Sequence, residues 1–299
     1  MIFTVTCNPA LDYTLTMPTM RPGVLNRTQT AVLTYGGKGI NVSRMLTALG
    51  AENTAIVLVA GETGAMLERG LENEGIRTEC IRLAAGSTRI NVKIRAGEET
   101  ELNADGPAVD AAAWETLCRR VGTLNEEDVL CLCGSVPSSL GAGAYAELMT
   151  HTKARVAVDA SGDLLRQALA QHPWLIKPNR PEMEGLFRQH MACESTQVDM
   201  ARRVQEMGAQ NILLSLGASG AMLYTADGNV WHCAAPRGEA HGTVGAGDCA
   251  LAGYLSAAER GEKEALRTAV AAGSAAAFSD GCAPGADAVE ALLRQMPAL

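Results

Sequence analysis

The chain has 299 residues, 47% of them apolar and only 4% aromatic, enough to bury a sizeable core without disulfides or metals. Its net charge of −8 argues against nucleic acid as the main partner, because gripping a phosphate backbone takes clustered Lys and Arg. The N-terminus lacks a basic, apolar leader pattern, and no apolar run reaches the roughly 20 residues of a membrane span. A cytoplasmic protein with no membrane partner is therefore expected.

The first strand candidate is Ile2–Thr6. Strict polar–apolar alternation follows in Asp12-Tyr13-Thr14-Leu15-Thr16-Met17, the mark of a strand with one face buried and one open. With segments 28–33, 89–95 and 99–102 it is expected to form a small separate sheet, displaying Asp12, Arg89, Asn91 and Lys93 on its open face. An ordinary solvated face is the plainer reading of the same pattern.

Gly36-Gly37-Lys38-Gly39-Ile40-Asn41 then opens a helix in which Val42, Met45, Leu46 and Leu49 share one side and Gly50 is the stop. This turn exposes backbone beside a cation and an amide, which suits a polyhydroxy or phosphorylated ligand. It matches neither the Walker A pattern nor G-x-G-x-x-G, and a purely structural glycine turn accounts for it equally well.

Near-continuous apolar runs at 54–60, Val129–Cys133, Arg155–Asp159, 175–177 and 211–216 read as strands covered on both faces. Helical stretches separate them, giving a doubly wound α/β pattern with a mainly parallel sheet. The nine cysteines fall mostly inside such runs and read as reduced, packed thiols. A zinc site has no Cys-x-x-Cys pair or His cluster in the sequence behind it. No repeat or linker breaks the chain, so residues 1–299 are expected to form one domain, with a discontinuous small sheet at about 11–35 and 87–103.

Lys177-Pro178-Asn179-Arg180-Pro181-Glu182 joins a strand to a helix, and each proline biases the preceding residue to extended structure, presenting Lys177 and Asn179 at the sheet edge. Glu182 is either a helix-dipole charge or an organiser of Mg²⁺ through water. Ser215-Leu216-Gly217-Ala218-Ser219-Gly220 follows another strand and leaves room for a nucleotide across the strand ends. In Thr243-Val244-Gly245-Ala246-Gly247-Asp248 two glycines start a helix. Their N–H groups can approach an anion while the Asp in the first turn takes a proton from a hydroxyl. Taken alone, a glycine turn with an N-terminal charge explains that run too.

In this order, from Asn8-Pro9-Ala10-Leu11-Asp12 to Ala271-Ala272-Gly273-Ser274-Ala275-Ala276-Ala277, the motifs resemble the PfkB (ribokinase-like) carbohydrate kinases along the whole chain. N-P-A-L-D, G-G-K-G-I-N, Thr88-Arg89-Ile90-Asn91-Val92-Lys93 and K-P-N-x-x-E look like the branch that phosphorylates ketose phosphates. The resemblance implies a ribokinase-like sheet with a β lid, a homodimer through that lid, and ATP with Mg²⁺. It implies that Asp12, Gly37, Lys38, Asn41, Arg89, Asn103 and Ser135 meet the sugar phosphate. Lys177, Asn179, Ser215, Gly217, Gly220, Thr243 and Ser279 would line the nucleotide site, and Glu182 would organise the metal. Asp248 would be the base and residues 245–247 the anion hole.

The expected reaction is fructose 1-phosphate to fructose 1,6-bisphosphate, with tagatose 6-phosphate and then fructose 6-phosphate as alternative substrates. Val24 after Gly23, where the minor 6-phosphofructokinases carry lysine, weighs against fructose 6-phosphate. Cys249 stands where serine or alanine is usual, as a packed residue or an oxidisable thiol. A non-catalytic sensor should have lost the base or the glycines, and a Rossmann dehydrogenase would need G-x-G-x-x-G where Cys7-Asn8-Pro9-Ala10 stands.

Overall fold

A computed structural model describes residues 1–279 and 283–299. In chain order the strands are β1 (Ile2–Thr6), β2 (Ala10–Thr16), β3 (Thr30–Gly36), β4 (Asn53–Val59), β5 (Thr78–Arg82), β6 (Arg89–Ala96), β7 (Glu98–Leu102), β8 (Val129–Cys133), β9 (Arg155–Asp159), β10 (Leu175–Ile176), β11 (Asn211–Ser215), β12 (Ala221–Tyr224) and β13 (Val230–Cys233). The helices are α1 (Lys38–Ala48), α2 (Gly61–Asn73), α3 (Ala111–Val121), α4 (Ala144–Thr150), α5 (Gly162–Leu169), α6 (Arg180–Phe187), α7 (Glu194–Glu206), α8 (Ala246–Ala257), α9 (Glu262–Ala277) and α10 (Ala286–Gln295).

Nine strands form one sheet in the order β13-β12-β11-β10-β9-β8-β1-β4-β5. It is parallel from β11 to β5, and the β12 and β13 edge is antiparallel. Alternate residues feed two cores, as a period of two demands. On β8, Leu130 and Leu132 belong to one apolar cluster with Leu117 of α3, Tyr145 of α4 and Met200 of α7. Val129, Cys131 and Cys133 pack on the opposite side with Val42 of α1, Leu251 of α8 and Leu266 of α9. The continuous apolar runs are thus strands without a wet face.

The chain also forms β5 and a β12–β13 hairpin, which the apolar patterning of the sequence does not mark. β5 lies at one edge of the sheet and is half exposed, so it lacks a continuous apolar run. The hairpin had a usable signal in Asp227-Gly228, where Gly228 takes φ +83° in the turn.

The small sheet has the order β3-β2-β6-β7. Its central pair, β2 and β6, is parallel, with Asp12 opposite Asn91 and Thr14 opposite Lys93. Its other face is apolar and partly open, with Tyr13 37%, Ile90 46% and Leu102 56% exposed. Cys7, Cys118, Cys131, Cys133, Cys233 and Cys249 are buried as expected, but Cys193 is exposed and Cys80 intermediate. Cys282 lies outside the described residues. Among the described residues no helix is long and apolar enough to cross a membrane.

Candidate active site

The chain enters the large sheet at β1, moves outward to β4 and β5, and then resumes on the other side of β1 at β8. Loops leaving such neighbours diverge, and the crevice between them is where open α/β sheets bind ligands. Here it is a cavity of about 660 Å³ lined by Thr6, Asn8, Lys38, Arg89, Ser135 and Glu182. A second cavity of about 1260 Å³ runs on across the ends of β10 and β11 to α8 and α9. The two share Gly37, Lys38, Arg89 and Ser135.

Asp248 sits in the first turn of α8, 6% exposed, on the wall of the larger cavity. The helix begins at Gly245, whose φ of +80° puts it in the left-handed region where a side chain would be strained. At Gly247 the constraint is space, since a Cβ would stand 3.2 Å from Lys177 Nζ.

Asn41 Nδ2 donates to Asp248 Oδ2 at 2.8 Å, and Arg44 Nη1 donates to Asn41 Oδ1 at 2.7 Å. Arg44 in turn donates to Tyr35 O at 2.8 Å and pairs with Glu74. An amide whose oxygen is held by a guanidinium must turn its N–H₂ toward the carboxylate. Arg44 therefore orients Asn41, and Asn41 orients Asp248. Burial and then the charge of Asp159 push the Asp248 carboxyl up to about 6, against Asn41, Lys38 and Lys177, which pull it down.

Asp159 ends β9 fully buried, and no sequence motif marked it. Lys38 Nζ lies 3.1 Å from Oδ1 and Lys177 Nζ 3.4 Å from Oδ2. Burial alone would raise this carboxyl, but Lys177 and Lys38 together hold it below its ordinary range. Burial likewise works against the charge of Lys38, and Asp159, Glu182 and Asp248 outweigh it, so this ammonium is held above its usual range. Two lysines from distant segments thus converge on one carboxylate between the cavities.

Arg89 is anchored through its backbone neighbours, donating to Ala104 O at 2.9 Å and Asn8 O at 3.0 Å. Asn8 Nδ2 donates to Asp105 O at 2.8 Å, and the Ser138 hydroxyl donates to the Asp105 carboxylate. Burial lowers the Arg89 guanidinium from its ordinary range, with Asp12 and Asp105 opposing. On the lid, Asn91 Nδ2 donates to Asp12 Oδ1 at 3.0 Å. Thr6 Oγ1, Asn8 Oδ1, Arg89 Nε and Asn91 Oδ1 are buried without a hydrogen-bond partner among the described residues. Polar atoms in that condition cost free energy unless a ligand meets them.

The sequence candidates converge well. Asp12, Gly37, Lys38, Asn41, Arg89, Asn103, Ser135, Lys177, Asn179, Ser215, Gly217, Gly220, Thr243, residues 245–247 and Asp248 all line the larger cavity. Asn103 stands at the exposed rim beside Glu101. Glu182 lines the smaller one and has a second duty: with Asn179 it forms a reciprocal capping box at the start of α6. Ser279 does not join them. α9 ends at Ala277, the wall is made by Ser274, Ala277 and Phe278, and the Ser279 hydroxyl turns back to Ala276 O at 3.1 Å. Asp159, Arg44, Asn8 and Asp105 were missed, because each acts through a contact more than local in sequence or through another side chain.

A buried carboxylate at a glycine-opened helix start, beside paired lysines and a two-lobed cleft, is an arrangement suited to phosphoryl transfer on a doubly wound α/β sheet. The pfkB family carbohydrate kinase pattern matches residues 6–288, and the chain belongs to that family. It is 36% identical over 285 residues to 1-phosphofructokinase of Bacillus subtilis, covering 94% of this chain and 93% of that one. It is 34% identical over 287 residues to D-tagatose-1-phosphate kinase of Bacillus licheniformis, covering 94% of each. The fold matches Escherichia coli phosphofructokinase-2 in complex with fructose-6-phosphate with a TM-score of 0.90 at 28% identity, over 99% of this chain and 98% of that one. The same Escherichia coli enzyme has been solved in a tetrameric inhibited form.

Proposed function

We propose that this kinase transfers the γ-phosphoryl group of ATP to the C6 hydroxyl of fructose 1-phosphate, giving fructose 1,6-bisphosphate. The observation that carries the reading is the cationic floor shared by the two cavities. In this reading Lys38 and Arg89, which line both cavities, meet the phosphate the substrate already bears, a charge that a neutral sugar lacks. In this reading the sugar lies under the lid against Asp12 and Asn91, with its phosphate toward Arg89 and Ser135. Its reactive hydroxyl meets Asp248. The nucleotide lies along residues 215–220 and the end of α9.

Asp248 takes the hydroxyl proton as the oxygen attacks phosphorus and the bond to the β-phosphate oxygen breaks. The backbone N–H groups of residues 245–247 and the positive end of α8 meet the charge growing on the transferring group. With its carboxyl pushed up to about 6 by burial and by Asp159, Asp248 is a stronger base than an ordinary aspartate. Mg²⁺ fits the donors present: hard carboxylate oxygens at Glu182, with Asp159 Oδ2 lacking a full hydrogen bond nearby. Bound there with the nucleotide, the ion would neutralise phosphate charge.

The small sheet serves as a lid that excludes water from the phosphoryl group, within a single catalytic domain. Its outer apolar face is the natural surface for a homodimer.

Similarity to the tagatose-1-phosphate kinase supports a second substrate, tagatose 1-phosphate, in place of the tagatose 6-phosphate expected from motifs. The two ketose 1-phosphates carry the same charges and differ at one hydroxyl. Initial rates with ATP on fructose 1-phosphate, tagatose 1-phosphate and fructose 6-phosphate test the reading. The highest kcat/KM should fall on fructose 1-phosphate. A value on tagatose 1-phosphate more than about tenfold higher, which is 1.4 kcal/mol of transition-state preference, would reverse the assignment.

A further inference from the structure

Away from both cavities, Cys118 on α3 meets Glu147 and His151 of α4. The Cys118 Sγ, a Glu147 carboxylate oxygen and a His151 ring nitrogen all lie within 4.8 Å of one another. Glu147 and His151, the latter at the C-cap of α4, are four residues apart and so share one helical face. Cys118 approaches them from α3, 6% exposed. None of the three lines either cavity of the kinase site.

We propose that Cys118, Glu147 and His151 bind a divalent transition-metal ion of the zinc class, which clamps α3 to α4. The donor set of one sulfur, one imidazole and one carboxylate suits such an ion. It is wrong for Mg²⁺, which takes oxygen. Three protein ligands are what zinc sites with an open fourth position use. In a tetrahedron with bonds of 2.0 to 2.3 Å the ligand atoms stand about 3.5 Å apart. The atoms stand no more than 4.8 Å apart, so closing takes at most about an ångström of movement, available because Glu147 and His151 are exposed at the surface.

One contact already resembles the outer support such sites carry: Trp114 Nε1 donates to Glu147 Oε1 at 2.8 Å, holding the carboxylate beside the thiol. α4 is itself anchored, since the Tyr145 hydroxyl donates to Cys133 O at 2.8 Å. Binding displaces the Cys118 thiol proton to solvent, and the thiolate and carboxylate together balance the two charges of the ion.

The full-length protein, stripped with a chelator and then titrated with Co²⁺, tests this. One equivalent should bind with a near-ultraviolet thiolate-to-cobalt band that excess Zn²⁺ abolishes. The band should vanish in Cys118→Ser, and affinity should fall by more than about 10-fold in His151→Ala, the scale that lost outer contacts alone produce. Zn²⁺ should raise the melting temperature of the parent and of neither variant, and both variants should turn over Mg-ATP normally. No thiolate band in the parent would overturn the proposal. So would a band undiminished in Cys118→Ser, which would give the ion to another cysteine such as the exposed Cys193.

Discussion

At the residue scale, the proposed chemistry turns on the environment of one carboxylate, that of Asp248. Asp248→Asn should lower kcat by at least ~10² with little change in KM, since it removes proton transfer and leaves the binding groups. Burial and Asp159 raise the Asp248 carboxyl to about 6, so kcat/KM should fall as pH drops through that value and the base becomes protonated. Because a sugar phosphate also titrates near 6, the diagnostic is the displacement of this limb in variants. Asp159→Asn removes a charge that raises Asp248 and should move the limb to lower pH. Asn41→Ala removes a hydrogen bond that lowers it and should move the limb upward. An unmoved limb in both variants would assign it to the substrate. Arg44→Met should reproduce part of the Asn41 effect, because Arg44 reaches Asp248 through the Asn41 amide it holds.

At the element scale, two helix starts line the candidate site, and they are built differently. α8 opens on glycine, with Gly245 in the left-handed region. Gly245→Ala should cost about 1–2 kcal/mol of stability and reduce kcat, as the N–H groups shift. α6 opens on the Asn179–Glu182 capping box, where Asn179→Ala should cost about 1 kcal/mol. Glu182→Gln separates the two duties of that residue. Glutamine still offers an oxygen to the Asn179 N–H, so the melting temperature should barely change. The loss of a charged oxygen should nonetheless raise the Mg²⁺ concentration needed for half-maximal rate several-fold. A large drop in melting temperature with unchanged Mg²⁺ dependence would make Glu182 a cap alone.

At the scale of the whole molecule, the doubly wound order brings segments far apart in sequence to one sheet edge, and the small sheet covers it. The polar side of that sheet faces the cleft with Asp12 and Asn91, leaving Tyr13, Ile90 and Leu102 outward and partly exposed. An exposed apolar face of this kind is the surface through which the proposed homodimer would form. The protein should sediment as a dimer, and Leu102→Glu with Ile90→Glu should give monomers with an intact large-sheet core and a weaker grip on the sugar. A parent that sediments as a monomer at micromolar concentration would remove the lid from that role.

Much of this protein is local, and that part the sequence determines by itself. Burial on both faces writes continuous apolar runs, so Ile2–Thr6, Val129–Cys133 and Arg155–Asp159 are legible to the residue, and the glycine-opened helix starts mark Lys38, Asn41 and Asp248. β5 and the β12–β13 hairpin escaped because edge strands carry weaker patterns. What only the tertiary structure decided depends on distance through space. Asp159 looks like the last residue of an ordinary strand until Lys38 and Lys177 close on it. Arg44 looks like a surface arginine until it turns the Asn41 amide. Cys118 looks like a packed thiol until α4 sets a carboxylate and an imidazole beside it. Coulombic and coordinate interactions act between side chains that meet, and periodicity along a chain does not record which ones do.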